Sequence, residues 1–367
     1  MAIPIQEARG VFTKVLVARW NELSELAPKG FLRSFFTKQT TSAKEISIEV
    51  MRGTEKIAVD VLRGTNGNRN TFSKHSEKIF VPPFYNEYFD ATSLDRYDLL
   101  FGANSTNPTV GVIDGMISQA LEKLKILKYK IERAYELQAA QVFESGIVQL
   151  VSGDNIDFKR KADSMVAKDA ADYWQVTTVD PRADFITAGN FLRQTGKAGD
   201  GEFNVILGSN ALTVLLANPF IDNDKIKSLS LVDLKSPQVN AMGGVYHGTI
   251  SAGPYKVNLW SYNEYYDNSA GVSTAYINTN QFIMLPATTG KFIFSFAGVP
   301  AIIRDVRNAE FPEYITQMES DYYINNYIDA FGKKHVFEIL SAGLAIPVTV
   351  DRIFSMQVTN GTEIIGG

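Results

Sequence analysis

The sequence predicts an α+β protein, and three observations carry that prediction. Residues 109–150 hold apolar side chains at three-and-four spacing without an internal proline, the mark of one long helix. Several other segments alternate apolar and polar residues at strand spacing. No internal repeat and no low-complexity segment interrupts this mixture.

Taken in order, residues 10–26 read as a short amphipathic helix, with Phe12, Leu16, Trp20 and Leu23 on one face. Ala-Pro-Lys-Gly at 27–30 stops it, and the period changes after the Phe-Leu-Arg-Ser-Phe-Phe run at 31–36. Ile46, Ile48 and Val50, then Ile57, Val59 and Val61, alternate with polar residues. Turn formers crowd 63–70, and Asn66-Gly67 is a favoured hairpin dipeptide. A polar strand closes at Pro82-Pro83, so 43–83 read as a long β-hairpin with few large apolar groups. A two-stranded ribbon of this kind cannot bury much by itself, so it needs something to lie against.

The helix over 109–150 places Ile113, Met116, Ile117, Leu121, Leu124, Leu127 and Ile131 on one stripe. Glu122, Lys125, Lys128, Glu132 and Arg133 are expected mainly off it. Residues 153–160 read as a turn and a strand. Asp180 is the expected N-cap of a helix over 182–195, with Pro181 at its first position. A buried strand at 203–208 and a helix at 209–218 follow, then β segments through 245–300. Strands return in 321–330, 334–344 and 346–358.

Composition excludes several classes. The chain has 367 residues, 36 basic and 40 acidic, for a formal net charge of −4. That balance argues against a dedicated nucleic-acid binder, which shows a basic excess or stripe. With no cysteine, disulfide scaffolds, thiolate metal sites and cysteine nucleophiles are out. The first twenty residues carry charges inside each apolar run, so no signal peptide is expected there. No apolar stretch approaches the roughly 18 residues of a membrane helix. A soluble, intracellular protein is expected.

The search for chemistry yields little. His75, His247 and His335 are isolated and form no metal-ligand spacing. Residues 189–197 imitate a phosphate loop, but six residues separate Gly189 from Gly196 where four are needed, and Ala198 replaces the required Ser or Thr. Trp260, Tyr262, Tyr265 and Tyr266 surround Glu264 and Asp267, as a sugar site does. Alternation puts Trp260 and Tyr262 on one face and Val257 and Leu259 on the other. Glu264 and Asp267 then fall at a connection, whereas a glycosidase holds two carboxyl groups across a cleft. The stretch reads as scaffold. Arg52, Lys56, Arg63, Arg69, Lys74 and Lys78 give the hairpin cations, but Glu45, Glu49, Glu55, Asp60 and Glu77 dilute their field. A solvated or subunit-facing ribbon is the simpler reading.

These pieces, in this order, resemble the lambda-type tailed-phage major capsid proteins, which have the Hong Kong 97-like capsid fold. The resemblance is carried by Tyr246, Gly248, Tyr262, Glu264, Tyr266, Asp267, Tyr276 and Ile277, and by the terminal Ser-Ala-Gly-Leu-Ala-Ile-Pro-Val-Thr-Val-Asp run. Asn278 stands where the family commonly has proline. The resemblance implies an N-terminal arm (1–42), an extended β-hairpin loop (43–93) and a peripheral domain in two parts, 94–179 with a spine helix over 109–150, and 301–367. An axial domain over 180–300 lies between those parts. It further implies a virion head subunit, assembled in the host cytoplasm as hexamers and pentamers around packaged double-stranded DNA. Implied partners are other copies of the chain, portal, scaffold and decoration proteins, and the DNA through weak non-specific contact. No cofactor, metal, membrane or catalytic residue is implied. The hairpin then finds its burial partner in a neighbouring subunit, making Arg63, Asn66, Gly67, Arg69, Lys74 and Lys78 candidate inter-subunit contacts. Two alternatives stand beside this reading: an encapsulin-like compartment shell, and a carbohydrate-active enzyme using Glu264 and Asp267.

Overall fold

A computed structural model describes residues 30–50, 76–92, 108–150, 155–224, 232–268, 270–303, 314–318, 320–328 and 334–364. The helix expected over 10–26 and the hairpin tip at 63–70 lie outside these residues.

A 3-10 turn, Leu32–Phe35, precedes β1 (Thr37–Thr40), β2 (Ile46–Val50), β3 (Ser76–Phe80) and β4 (Phe84–Thr92). The long helix α1 (Pro108–Glu144) has 37 residues, a rod of about 55 Å at 1.5 Å per residue. β5 (Ile147–Gln149), β6 (Asn155–Asp157) and β7 (Met165–Ala167) follow. Next come α2 (Pro181–Gln194), β8 (Glu202–Leu207), α3 (Ser209–Ala217) and α4 (Pro219–Asp224). Three strands follow: β9 (Val232–Val239), β10 (Val245–Ala252) and β11 (Tyr255–Ser261). A small hairpin, β12 (Tyr265–Asp267) with β13 (Ser273–Ala275), leads to β14 (Gln281–Pro286). Then come β15 (Phe292–Phe296), β16 (Val299–Ile303) and β17 (Tyr314–Met318). The last described strands are β18 (Tyr323–Ile328), β19 (Lys334–Pro347) and β20 (Phe354–Gln357).

Two sheets organise these elements. The seven-stranded sheet runs β7-β20-β14-β8-β11-β10-β9, and the five-stranded one β1-β15-β19-β18 with β4 also on β19. Each sheet gathers strands from distant parts of the chain. β15 lies in the five-stranded sheet, while β7 and β20 lie in the seven-stranded one. β4, expected within the loop over 43–93, pairs along β19 from Phe84↔Ala342 to Thr92↔Lys334.

The faces of the seven-stranded sheet serve two cores. Phe203, Val205, Leu207, Val257, Leu259, Phe282 and Met284 pack with Phe185, Ala188 and Leu192 of α2 and with Val214 and Leu215 of α3. Ile206, Ile283, Leu285 and Tyr262 join the other core, which holds α1 and the five-stranded sheet. That alternation is the period-2 pattern read from the sequence.

Helix α2 begins as expected. The Asp180 carboxylate accepts from the Arg182 N–H, and Pro181 stands at the first turn. Helix α1 stops at Glu144 and not at 150. Gly146, at φ +71°, donates back to the Gln141 and Val142 carbonyls and closes the helix. The strand expected over 346–358 is also divided: Ile346 and Pro347 finish β19, a 3-10 turn covers Val350–Arg352, and β20 resumes at Phe354. No described helix is long and apolar enough to cross a membrane.

Candidate functional site

The flank of α1 receives the start of the described chain. Lys128, Glu132 and Glu136 follow one another at i, i+4 and i+8 and are buried, contrary to the expected exposure of Lys128 and Glu132. The Glu136 carboxylate accepts the Leu32 N–H at 2.7 Å and the Arg33 N–H at 3.1 Å. Glu132 pairs with the Arg33 guanidinium and accepts from the Tyr322 hydroxyl. A side chain at residue 30 would overlap the Glu136 carboxylate, which would have to shift away. Burial raises the Glu136 pKa, and its bonds to Leu32, Tyr262 and Arg33 oppose that rise. Burial also lowers Lys128 to about 8, against the attraction of Asp321. The 30–36 segment is thus strapped to α1 by a carboxylate that caps its orphan amides.

The same strap meets the aromatic stretch. The Phe31 ring lies 5.5 Å from Trp260 and 5.5 Å from Tyr262, and a side chain at Gly244 would overlap it. Tyr246 packs on Trp260 at 4.9 Å, and Tyr266 on Tyr276 at 5.1 Å. The Tyr262 hydroxyl bonds Glu136, and burial drives its pKa far up. Gly248, at φ +120°, sits in the bulge between the β10 and β9 registers, against the Asp233 carbonyl. Tyr246, Gly248, Tyr262 and Tyr266 are therefore packing and backbone positions. Glu264 and Asp267 are exposed at the β12–β13 hairpin.

Of the hairpin candidates, Arg63, Asn66, Gly67, Arg69 and Lys74 lie outside the described residues. Lys78 lies in β3, opposite Ile48 of β2. The base of the hairpin is two-faced. Ile46 and Phe80 are buried, with the Phe80 ring 5.2 Å from Phe158. Ile79 and Val81 are instead 64% and 54% exposed, and in the adjoining β4 Phe84 and Tyr88 are 50% and 64% exposed, a run of exposed apolar side chains unusual for so short a stretch.

The family model for phage major capsid protein E matches residues 12–358. The chain belongs to that family. Its fold is Hong Kong 97-like: the capsid protein of an E. coli CFT073 prophage superposes with a TM-score of 0.62 at 14% identity, covering 96% of this chain and 100% of that one. The satellite phage P4 procapsid protein gives 0.47 at 11% identity, covering 99% and 94%. The SrpI encapsulin of Synechococcus elongatus PCC 7942 gives 0.45 at 8% identity, covering 91% and 89%. No curated protein sequence matches significantly.

In this capsid protein, sequence reasoning missed the polar groups that hold the C-terminal end of α1. Glu144, its last residue, accepts the Asn278 N–H at 2.5 Å and the Gln281 amide at 2.6 Å, both at Oε1. Burial lifts its pKa to about 7. Arg160 is buried and donates to the Phe143, Glu144, Ser164 and Ile353 carbonyls, capping the helix C-terminus. No local spacing signals these bonds, because their partners lie up to 193 residues away. The near-miss phosphate loop has a packing explanation too: Gly189 lies within α2 under the Tyr255 ring, and Arg352 binds the Gly196 and Lys197 carbonyls.

Proposed function

We propose that this capsid protein assembles with copies of itself, as hexamers and pentamers, into an icosahedral head that encloses double-stranded DNA. The hairpin over 43–83 acts as a strap to a neighbouring subunit. One observation carries this reading: Ile79 and Val81 stand exposed at the hairpin's base, followed by exposed Phe84 and Tyr88 in β4, apolar side chains that a neighbour would bury. Each such contact is modest, and multivalency makes the closed shell stable. In this reading α1, β1, β4, β15, β18 and β19 form the peripheral domain, and the seven-stranded sheet with α2 and α3 forms the axial domain. Portal, scaffold and decoration proteins are further partners, and assembly takes place in the host cytoplasm before the virion is complete. The work of the protein is assembly and maturation, without covalent catalysis. The outward position of Glu264 and Asp267 on a two-stranded hairpin supports this.

Electron microscopy and sedimentation of the purified chain test the proposal. Closed particles are expected, and in virions they should protect DNA from nuclease. A chain that stays monomeric at high concentration would remove it, and particles filled with protein cargo would favour a compartment shell.

A further inference from the structure

The exposed face of α1 carries charge that the composition conceals. In a chain of net charge −4, Lys123, Lys130 and Arg133 are exposed on one side of this helix, flanked by half-buried Lys125. Positions 123, 126, 130 and 133 follow helical spacing, so the three cations line up along the axis over about 15 Å. Between them Ile126 is 64% exposed. Lys123 rests over the Phe89 ring at 5.2 Å, and Lys125 over Tyr129 at 5.7 Å. In both contacts the ammonium nitrogen itself lies over the ring, while Lys123 stays exposed and Lys125 half-exposed. Carboxylates on this face are few: Glu122 is exposed, and Glu87 pairs with Lys130 at 2.8 Å. Lys123, Lys125 and Arg133 form no ion pair with a described residue.

We infer that this face of α1 is the surface on which the subunit meets the phosphate backbone of double-stranded DNA. A straight row of cations on a rigid helix matches a line of regularly spaced phosphates, and it carries no side-chain set for reading base edges. Contact of this kind is independent of sequence, weak for each subunit and steeply dependent on salt. Repeated over many subunits, it would hold a polyanion against one side of the shell. The inference rests on the capsid reading, because only there do many copies of one helix face a single nucleic acid.

The test uses the full chain and a labelled 30-base-pair duplex of arbitrary sequence, with affinity measured across a salt series. The variant K123Q/K130Q/R133Q keeps good helix formers at all three positions. A control variant, K235Q/K256Q/K291Q, removes equal charge from exposed positions elsewhere. The first variant should bind at least about tenfold more weakly at low salt. The log–log salt slope should fall by two to three units, as for about three lost phosphate contacts. The control should stay close to the unmodified chain. Failure of the unmodified chain to bind duplex, or equal losses in both variants, would overturn the inference. Particle formation is followed in the same samples. Particles that form with unchanged duplex binding in the first variant would sink this inference alone, whereas absence of particles from the unmodified chain would sink the capsid reading.

Discussion

Glu144 shows how a single carboxyl group can record the packing of a whole subunit. It ends α1, and both of its hydrogen bonds run to one oxygen, from the 278–281 connection. Burial raises its pKa to about 7, against roughly 4.3 in an unfolded chain. Between those values the folded state binds more protons than the unfolded state, so stability falls as pH rises through this window. The difference corresponds to about 4 kcal/mol at most. Glu136, also raised by burial, acts in the same direction. Glu144→Gln keeps an oxygen for both bonds and removes the charge. Its melting temperature should depend less on pH between about 5 and 8 than that of the unmodified chain, and it should be higher at pH 8. A variant less stable at pH 8 would show that the carboxylate is favoured there. Nothing in the sequence around residue 144 announces this, since burial is a property of the assembled fold. Asp180 was legible because its partner, the Arg182 N–H, is two residues away.

At the scale of elements, α1 separates what pattern can and cannot tell. Its apolar stripe is seen directly in the burial of Ile117, Leu121, Leu124 and Ile131. Its end was not, because apolar residues continue past Gly146 into β5, where Val148 is buried in the same core. A stripe counts apolar residues without regard to which element buries them, whereas the left-handed glycine decides the termination. The small strand β12 falls where the sequence reads as a connection for a related reason: a three-residue strand is too short to show alternation. Leu124 is fully buried and Ile131 is 1% exposed, so aspartate at either position would place an unpaired charge in the core. A loss of more than about 4 kcal/mol is expected, seen as insoluble chain or a collapsed far-ultraviolet circular dichroism spectrum. Soluble protein with unchanged helical signal would mean that this face of α1 is not the buried one.

At the scale of the molecule, the two sheets borrow strands across the chain, and no single stretch contains either of them. β8 pairs in parallel with β11 and antiparallel with β14, while β20 reaches back to β7. Segment reading finds such strands but cannot order them, because register and neighbour depend on contacts hundreds of residues apart. The hairpin pairs at shorter range, Ile46↔Phe80 to Val50↔Ser76, and its alternation was plain. Its base is fastened to its own subunit by Ile46 and Phe80 against Phe158. Ile79 and Val81 beside them are exposed. If the distal part serves a neighbour, replacing residues 63–70 by a two-residue Asn-Gly turn should preserve the twist of the ribbon. It should leave the subunit's own core intact. The shortened monomer should therefore keep its circular dichroism spectrum and most of its melting temperature. Closed particles should disappear from micrographs, and the large species from sedimentation. Unfolding of the shortened chain would place the tip in its own core. Normal assembly would show that the strap is not needed between subunits, and the exposed run from Ile79 to Tyr88 would then require another partner.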